Sequence, residues 1–269
     1  MIGPGFSPSG VITLTTDFGQ EGPFAAVMKG RILARYAAAR LIDITHEIPV
    51  HWPAEAGFWL ARSYRYFPTG SVHVAVVDPG VGTNRDILIV EAEGHVFLAP
   101  DNGLLAAVIN RAPSPRMYVL DARRVTHLDL PAASATFHGR DIFAPLAAEL
   151  AAGRVAPDAL GPPAVDVVPD WVEEPVVSRG QITGVVITID HFGNLISNID
   201  AELINPPTGA SVRVGTHTLP LLRTYGDVSP GQYLALVNSF GVIEIARAEQ
   251  SAAEGLGVGR GAPIVVHCA

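Results

Sequence analysis

The first half of the chain alternates β-branched apolar runs with longer segments whose apolar residues recur at helical spacing. The runs VITLTTDF at 11–18, RLIDIT at 40–45 and SVHVAVVD at 71–78 predict strands, and the segments 22–36 and 53–66 predict helices. Strands that alternate with helices are typical of βαβ units, so we predict an α/β unit with a mostly parallel, covered sheet. The same pattern continues through DILIVEAE, HVFLAP, LLAAVINR and DIFAPLAAELAAG.

The pattern changes near Gly161. The stretch GPPAVDVVPDWVEEPVV at 161–177 is rich in proline and acidic residues, which predicts an extended linker because proline fixes φ and lacks an amide donor. From about Gln181 short strands follow one another without a helix of normal length, which predicts a small all-β barrel or sandwich. The predicted regions are an N-terminal α/β domain at 1–163, a linker at 164–180 and a C-terminal β-barrel domain at 181–269.

Composition adds a prediction about assembly. Of the 269 residues, 48% are hydrophobic and only 16% are charged, and the mean hydropathy is +0.30. A chain of this length can bury a sizeable core, and the small number of charges leaves apolar surface that contacts between subunits can cover. The composition therefore favours a homo-oligomer.

Charge and targeting signals narrow the possible partners and location. The net charge is −8 and no run of basic residues occurs, which argues against a nucleic-acid partner. No apolar run approaches the ~20 residues that span a bilayer, so no membrane partner is expected. The start of the chain lacks the basic and apolar regions of a secretory signal. Together with a single cysteine, Cys268, these features predict a cytoplasmic protein without an internal disulfide.

Four clusters combine glycine with polar residues, and they are TTDFG at 15–19, DPGVGTNR at 78–85, TFHGRD at 136–141 and DHFGNLISN at 190–198. Ligands bind at the carboxyl ends of strands in open α/β sheets, which is where Asp17 and Asp78 are predicted to lie. Taken alone, Asp17 and Asp190 are more typical of turns than of ligand sites, and Asp78 before Pro79 is a normal start of a turn. Asp141 alone is explained by a cap on the helix that follows. The repetition of the pattern on two domains favours a site for a small ligand.

Familiar cofactor and nucleophile motifs are missing from the sequence. It contains no phosphate-binding loop, no G-x-G-x-x-G, no H-E-x-x-H, no paired cysteines and no G-x-S-x-G. His46, Glu47 and His51 lie around Pro49 without the spacing that places metal ligands on one helix face. We therefore predict neither a metal site nor a cofactor.

The ordered set of motifs resembles a known family. The segments LTTDFG, DITHEIP, YFPTGSVHVAVVDPGVGTNR, FLAPDNGLL, ATFHGRDIFAP, IDHFGNLISNI and NSFGVIEIA together are similar to the S-adenosyl-L-methionine (SAM) hydroxide adenosyltransferases, relatives of the fluorinase and chlorinase enzymes. The resemblance covers nearly the whole chain. It implies an N-terminal α/β domain, a C-terminal β-barrel and a homotrimer whose sites lie between the N-terminal domain of one subunit and the C-terminal domain of its neighbour.

The implied reaction is hydrolysis of SAM to adenosine and L-methionine by attack of water at the ribose C5′, with SAM as the substrate and no cofactor. The family's polar set corresponds to Asp78, Arg85 and His138. Asp78 would accept a hydrogen bond from the water, Arg85 would hold Asp78, and His138 would complete the relay. Whether Asp78 or His138 finally takes the proton stays open.

The resemblance also implies substrate contacts in both domains. In the first, Asp17 would accept both ribose hydroxyls and Trp52 would pack near the ribose and methionine portions, while Phe137 and Gly139 belong to the pocket. The expected barrel contacts are Asp190 with the methionine amino group, Phe192 stacked on adenine, Asn194 at the adenine edge, Ser239 with the methionine carboxylate, and Phe240 where the halogenases carry an arginine.

Two alternatives to hydrolysis remain. The first is a SAM-dependent halogenase, which forms a 5′-halo-5′-deoxyadenosine, and the second is a protein that binds adenosine or SAM without turnover. In the halide-using relatives an aromatic residue stands at the position of Asp78, and the positions of His138 and Gly139 also differ. A carboxylate beside the nucleophile would repel a halide ion, so Asp78 favours water.

Overall fold

The structure, a computed structural model, describes residues 5–130, 132–204 and 209–268 and divides into two compact units. The first unit runs to Trp171 and the second begins at Val172, so the predicted linker at 164–180 falls across this division. Across the described residues, no helix has both the length and the apolar character required to cross a bilayer.

Among its described residues, the first unit contains six strands and four α-helices. The strands are β1 (Val11–Thr16), β2 (Arg40–Thr45), β3 (Val72–Val76), β4 (Ile87–Ala92), β5 (His95–Pro100) and β6 (Arg116–Val119). The helices are α1 (Phe24–Arg35), α2 (Pro53–Ser63), α3 (Ala106–Arg111) and α4 (Ala144–Ala151), which is preceded by a π-helical turn at Gly139–Phe143.

The six strands form one mixed sheet in the order β2-β1-β3-β5-β4-β6. Strands β2, β1, β3 and β5 pair in parallel, whereas β4 is antiparallel to both of its neighbours. The structure confirms the α/β unit but does not confirm that its sheet is mostly parallel. The departure arises at Glu93 and Gly94, which both have positive φ and join β4 to β5 as a tight hairpin.

Both faces of the sheet are covered, because apolar side chains alternate along the buried strands. Val72, Val74 and Val76 of β3 belong to a core cluster that includes residues of α1 and α4. Ala75 and Val77 belong to a second cluster, which includes residues of α2 and α3. This arrangement leaves the ends of the strands as the place where polar side chains can meet a ligand.

Two histidines are buried within this sheet, His73 on β3 and His95 on β5. Thr13 Oγ1 lies 2.7 Å from His73 Nδ1, and His73 Nε2 lies 3.1 Å from His95 Nδ1. The His73 ring also stacks on Phe97, with 4.9 Å between the ring centroids. Burial and, to a lesser degree, the neighbouring His95 lower the pKa of His73 to about 3, so the ring is neutral at neutral pH.

We expect the free energy of unfolding of this unit to fall as the pH drops below about 6.5. His73 takes up a proton readily in the unfolded chain and resists it in the folded one. The stability that this difference provides is therefore present above pH 6.5 and is lost towards a pH of about 3. Each pH unit in that range costs about 1.4 kcal/mol. Urea unfolding at several pH values measures the slope through the three tryptophans, which all lie in this unit.

The variant His73→Asn provides the control for this titration. Asparagine keeps a hydrogen-bonding group for Thr13 and removes the imidazole, so the variant should be less stable at neutral pH but less sensitive to acid. Other groups contribute equally to both proteins, and only the difference between the two slopes reports on His73. Equal slopes would assign the acid sensitivity to other residues.

The second unit is a closed β-barrel. Its elements are β7 (Val176–Ser178), β8 (Gln181–Ile189), β9 (Leu195–Asp200), β10 (Ser211–Val214), β11 (His217–Leu222), β12 (Tyr233–Val237), β13 (Val242–Arg247), the short helix α5 (Ala252–Leu256) and β14 (Pro263–His267). Seven strands close in the order β14-β10-β11-β12-β13-β9-β8, because β8 also pairs with β14, and β7 adds to β8. One apolar cluster of this unit includes Val186, Leu195, Ile243 and Ile264. The predicted C-terminal barrel is thus confirmed.

Candidate active site

Polar residues follow three neighbouring parallel strands of the first unit. Asp17 follows β1, Asp78 comes two residues after β3, and Asn102 comes two residues after β5. Because these strands are adjacent and parallel, their carboxyl ends lie at one edge of the sheet. Asn102 Nδ2 donates to the carbonyl of Val77 at 2.8 Å and so supports the backbone directly before Asp78.

Asp78 and Arg85 form a bidentate ion pair. Arg85 Nε lies 2.8 Å from Asp78 Oδ1 and 3.0 Å from Oδ2, and an Nη2 hydrogen bond to Oδ2 completes the pair. The side chains of Asp78 and Arg85 are only 5% and 10% exposed. A planar guanidinium that grips both carboxylate oxygens fixes the orientation of the acid as well as compensating its charge.

The same guanidinium also reaches His138. Arg85 Nη2 lies 2.9 Å from His138 Nδ1, and since a guanidinium only donates, Nδ1 must accept. The imidazole is therefore neutral and carries its proton on Nε2. Burial, followed by the positive charge of Arg85, lowers the pKa of His138, which favours this neutral form. The ring can consequently offer an N–H donor at Nε2, but it is a weak base.

Close packing of two loops brings these groups together. Gly82 has a φ of +78°, and a Cβ at this position would lie 2.2 Å from the carbonyl oxygen of Ala135. Only glycine fits this approach, because a side chain would be strained by the positive φ and would also collide with the opposite backbone. The loop that carries Arg85 can thus lie directly against the loop that leads to His138.

Asp141 anchors the loop before His138. Its Oδ2 accepts the backbone N–H of Ser134 at 2.9 Å, and its carboxylate pairs with Arg140, with Arg140 Nε 2.6 Å from Oδ1. Arg140 lowers the pKa of Asp141 strongly. Helix α4 begins only at Ala144, so the expectation that Asp141 caps it was wrong. The carboxylate holds the preceding loop instead.

The remaining residues predicted for the first unit lie on neighbouring segments. Asp17 is half-buried, and its Oδ2 accepts the backbone N–H of His51 at 3.0 Å. Phe137 packs edge-on against two other rings, and a Cβ on the buried Gly139 would approach that phenylalanine at 3.2 Å. Trp52 packs against Trp171. The buried Nε1 of Trp52 finds no acceptor among the described residues.

In the barrel, Asp190 organises a tight turn. Its Oδ1 accepts the backbone N–H groups of Phe192 and Asn194, both at 2.9 Å, and its Oδ2 accepts from Asn194 Nδ2 at 3.0 Å. Asn194 is buried, whereas the Phe192 ring is 76% exposed. The structure therefore brings these three predicted residues together on one turn, and Asp190 shapes that turn as well as carrying a charge.

A cavity of about 500 Å³ lies beside this turn. Its lining includes Phe192, Asn194, Tyr225, Arg247 and Gln250. The cavity thus combines two aromatic rings with amide groups, which suits a flat heterocycle with polar edges. Phe192 and Asn194 were predicted from the sequence, whereas Tyr225, which lies on a turn between β11 and β12, was not.

Glu244 of β13 links this cavity to a second turn. Its Oε1 accepts from Tyr225 Oη at 2.6 Å and its Oε2 from Asn238 Nδ2 at 3.1 Å. Burial raises the pKa of Glu244, although both donors oppose the change. Asn238 in turn accepts the backbone N–H of Phe240 at 3.0 Å, and the exposed Ser239 lies between them. Short strands were predicted for this region, but nothing in the segment GVIEIA indicated these partners of Glu244.

Comparison with known proteins gives matches along most of the chain. The model of the SAM hydroxide adenosyltransferase N-terminal domain matches residues 12–161, and that of the corresponding C-terminal domain matches residues 184–265. An (R)-S-adenosyl-L-methionine hydrolase from Thermus thermophilus is 37% identical over 254 residues, which span 93% of this chain and 96% of the relative. A protein with the same name from Methanocaldococcus jannaschii is 31% identical over 263 residues, 92% of each chain.

Solved structures give the same result for the fold. The crystal structure of a conserved protein from Thermotoga maritima superimposes with a TM-score of 0.87 at 32% sequence identity. The match covers 96% of this chain and 100% of the other. A conserved protein from Thermus thermophilus superimposes with a TM-score of 0.76 at 33% identity, over 95% of this chain and 98% of the other.

Proposed function

This chain belongs to the SAM hydroxide adenosyltransferase family, and we propose that it is an enzyme that hydrolyses S-adenosyl-L-methionine to adenosine and L-methionine. The resemblance first identified from its motifs is thereby confirmed. The structural observation that supports the activity is the contact of Arg85 with both Asp78 and His138. A site that only binds a nucleoside does not require such a set.

The chemistry is a displacement at the ribose C5′. The oxygen of water forms a bond to C5′ while the bond from C5′ to sulfur breaks, and its electron pair returns to sulfur to give methionine. The sulfonium is already a good leaving group, so activation of the leaving group contributes little. Water is a weak nucleophile, and the enzyme must place it in line with the breaking bond and accept its proton.

We assign these tasks to the three contacting side chains. Asp78 accepts a hydrogen bond from the water, and its negative charge stabilises the positive charge that develops on the attacking oxygen. Arg85 fixes the plane of that carboxylate. Because His138 Nδ1 already accepts from Arg85, we assign the proton to Asp78 and a donor role to His138 Nε2.

Substrate binding is proposed to follow the two groups of residues described above. Asp17 accepts the ribose hydroxyls, and Trp52, Phe137 and Gly139 line the sugar and methionine portions. In the barrel, the cavity beside Phe192 and Asn194 takes the adenine. Asp190 binds the methionine amino group, because a carboxylate offers more acceptor positions than the turn uses, and Ser239 with Phe240 lies near the methionine carboxylate.

The proposed reaction requires no cofactor, since SAM itself carries the activated carbon. The named relatives are hydrolases of the (R) form, and we propose this epimer at sulfur as a substrate of the present chain. Incubation with each epimer in ¹⁸O-labelled water, followed by chromatography and mass spectrometry, tests the proposal. Adenosine labelled at its 5′ oxygen is the expected product. Formation of a 5′-halo nucleoside when chloride or fluoride is added would indicate a halogenase. SAM that stays unchanged would indicate a binding protein.

We also propose that the chain forms homotrimers in which the barrel of one subunit completes the site on the α/β unit of another. The small charged fraction of 16% supports an oligomer, as do exposed apolar side chains such as Phe24, Val50 and Trp171. Analytical ultracentrifugation gives the mass of the particle. A monomer with full activity would contradict this assembly.

Complementation between two inactive variants tests whether the site is shared. Asp78→Ala removes the group proposed to receive the water, and Asn194→Ala removes a group from the barrel cavity. When equal amounts of the two kinds of chain are unfolded and refolded together, about one quarter of the wild-type activity should return. Half of the α/β units and half of the barrels are intact, so about one shared site in four combines two intact halves. Mixed chains that stay as inactive as either variant would show that each subunit builds its own complete site.

A further inference from the structure

The DITHEIP segment contains a buried histidine that the proposed mechanism does not use. His46 follows β2 and is only 2% exposed. Its Nδ1 lies 2.8 Å from the hydroxyl of Thr16, the last residue of β1. Desolvation of a polar imidazole is unfavourable unless its ring nitrogens have polar partners.

Contacts of His46 extend to the surface of the unit. Its Nε2 lies 3.2 Å from Asp43 Oδ1, which is an electrostatic contact and not an aligned hydrogen bond. The other oxygen of Asp43 pairs with Lys29 Nζ at 2.5 Å. Lys29, Asp43, His46 and Thr16 therefore form one chain of contacts, called here the Thr16 chain.

The Thr16 chain ends at the turn that carries Asp17. Thr16 Oγ1 accepts the backbone N–H of Phe18 at 3.2 Å, directly beyond Asp17. The backbone N–H of Gly19 donates to the carbonyl of His46 at 2.8 Å. Both the side chain and the carbonyl of His46 thus hold the short turn on which Asp17 lies. Movement of the histidine would move this carboxylate.

We propose that Thr16, His46 and Asp43 are positioning residues that orient Asp17 towards two ribose hydroxyls at once and so set the preference for ribose over 2′-deoxyribose. The inference rests on the proposed function, because it assumes that Asp17 binds the ribose. A carboxylate must be held within about 10–20° of the productive orientation to engage two hydroxyls together. A ligand with one hydroxyl has no such requirement, so the loss of orientation weakens ribose binding selectively.

The affinities of adenosine and 2′-deoxyadenosine, measured by calorimetry for each variant, test the proposal through their ratio. Asp43→Ala is the main variant, because Asp43 lies near the surface with 37% of its side chain exposed and its removal leaves the core intact. Thr16→Val removes the hydroxyl while nearly preserving the shape of the side chain, and Thr16→Ser keeps the hydroxyl. We expect Asp43→Ala and Thr16→Val to lower the preference for adenosine about fivefold, and Thr16→Ser to keep it.

Asp121→Ala is the matched control, since Asp121 also pairs with a basic side chain near the surface of this unit. The control should leave the ratio unchanged. A wild-type ratio in both Asp43→Ala and Thr16→Val would overturn the positioning role while leaving the function intact. Wild-type protein that does not distinguish the two nucleosides would instead refute the ribose contact of Asp17, and with it this inference.

Discussion

Asp78→Asn is expected to lower kcat for SAM hydrolysis by about 10²- to 10⁴-fold. The amide has nearly the shape of the carboxylate and can still accept one hydrogen bond, but it carries no negative charge. It therefore cannot stabilise the positive charge that develops on the attacking oxygen, nor take the proton afterwards. The affinity for adenosine should change little, because the water and not the nucleoside is the proposed partner of Asp78.

Steady-state kinetics together with calorimetric titration of adenosine separate these two effects. Asp121→Asn provides a control, since Asp121 is also bidentate to an arginine, Arg123, whose side chain is 91% exposed. That variant should keep wild-type turnover. An Asp78→Asn enzyme with kcat within threefold of wild type would show that the carboxylate only supports the loop, and a matching fall in adenosine affinity would point to a binding role.

The location of the acidic residues could be predicted because it follows from local patterns. A β-branched run ends immediately before Asp17 and an apolar run immediately before Asp78. Helical segments between such runs imply that the strands are parallel neighbours. The structure confirms that β1 and β3 are adjacent and parallel. The direction of β4 was harder to predict, because it depends on the two-residue turn at Glu93 and Gly94, a weak signal within a long apolar segment.

The supporting residues could not be found in the same way, because their partners are remote in sequence. Asn102 donates a hydrogen bond to the carbonyl of Val77, which lies 25 residues earlier in the sequence. Tyr225 donates to Glu244, which lies 19 residues later. Each of these side chains alone is an ordinary turn or strand residue. Hydrogen bonds of this kind depend on how strands pair and where loops cross, and periodicity contains no information about either.

Arg85 differs from the other polar residues in that it serves two partners at once. Its Nε donates to Asp78 while its Nη2 reaches both Asp78 and His138 Nδ1. An ammonium group has the same charge but lacks the planar arrangement that spans both partners. Charge and geometry can therefore be separated by comparing lysine and methionine at this position.

Arg85→Lys is expected to retain most of the stability and to lose about 10² or more in kcat, because Asp78 and His138 are no longer held in one plane. Arg85→Met should lose at least as much activity and also about 3–5 kcal/mol of stability, since it leaves a carboxylate that is only 5% exposed without its partner. The loss of the neighbouring positive charge should also raise the pKa of His138 towards its ordinary value.

Kinetics, urea unfolding and NMR titration of the His138 ring measure these three quantities in the same proteins. Arg123→Lys is the control, because Arg123 makes an equivalent bidentate pair with Asp121 while remaining 91% exposed. It should change neither turnover nor stability appreciably. If Arg85→Lys turned over SAM at the wild-type rate, positive charge alone would suffice, and the planar contact that joins Asp78 to His138 would have no part in catalysis.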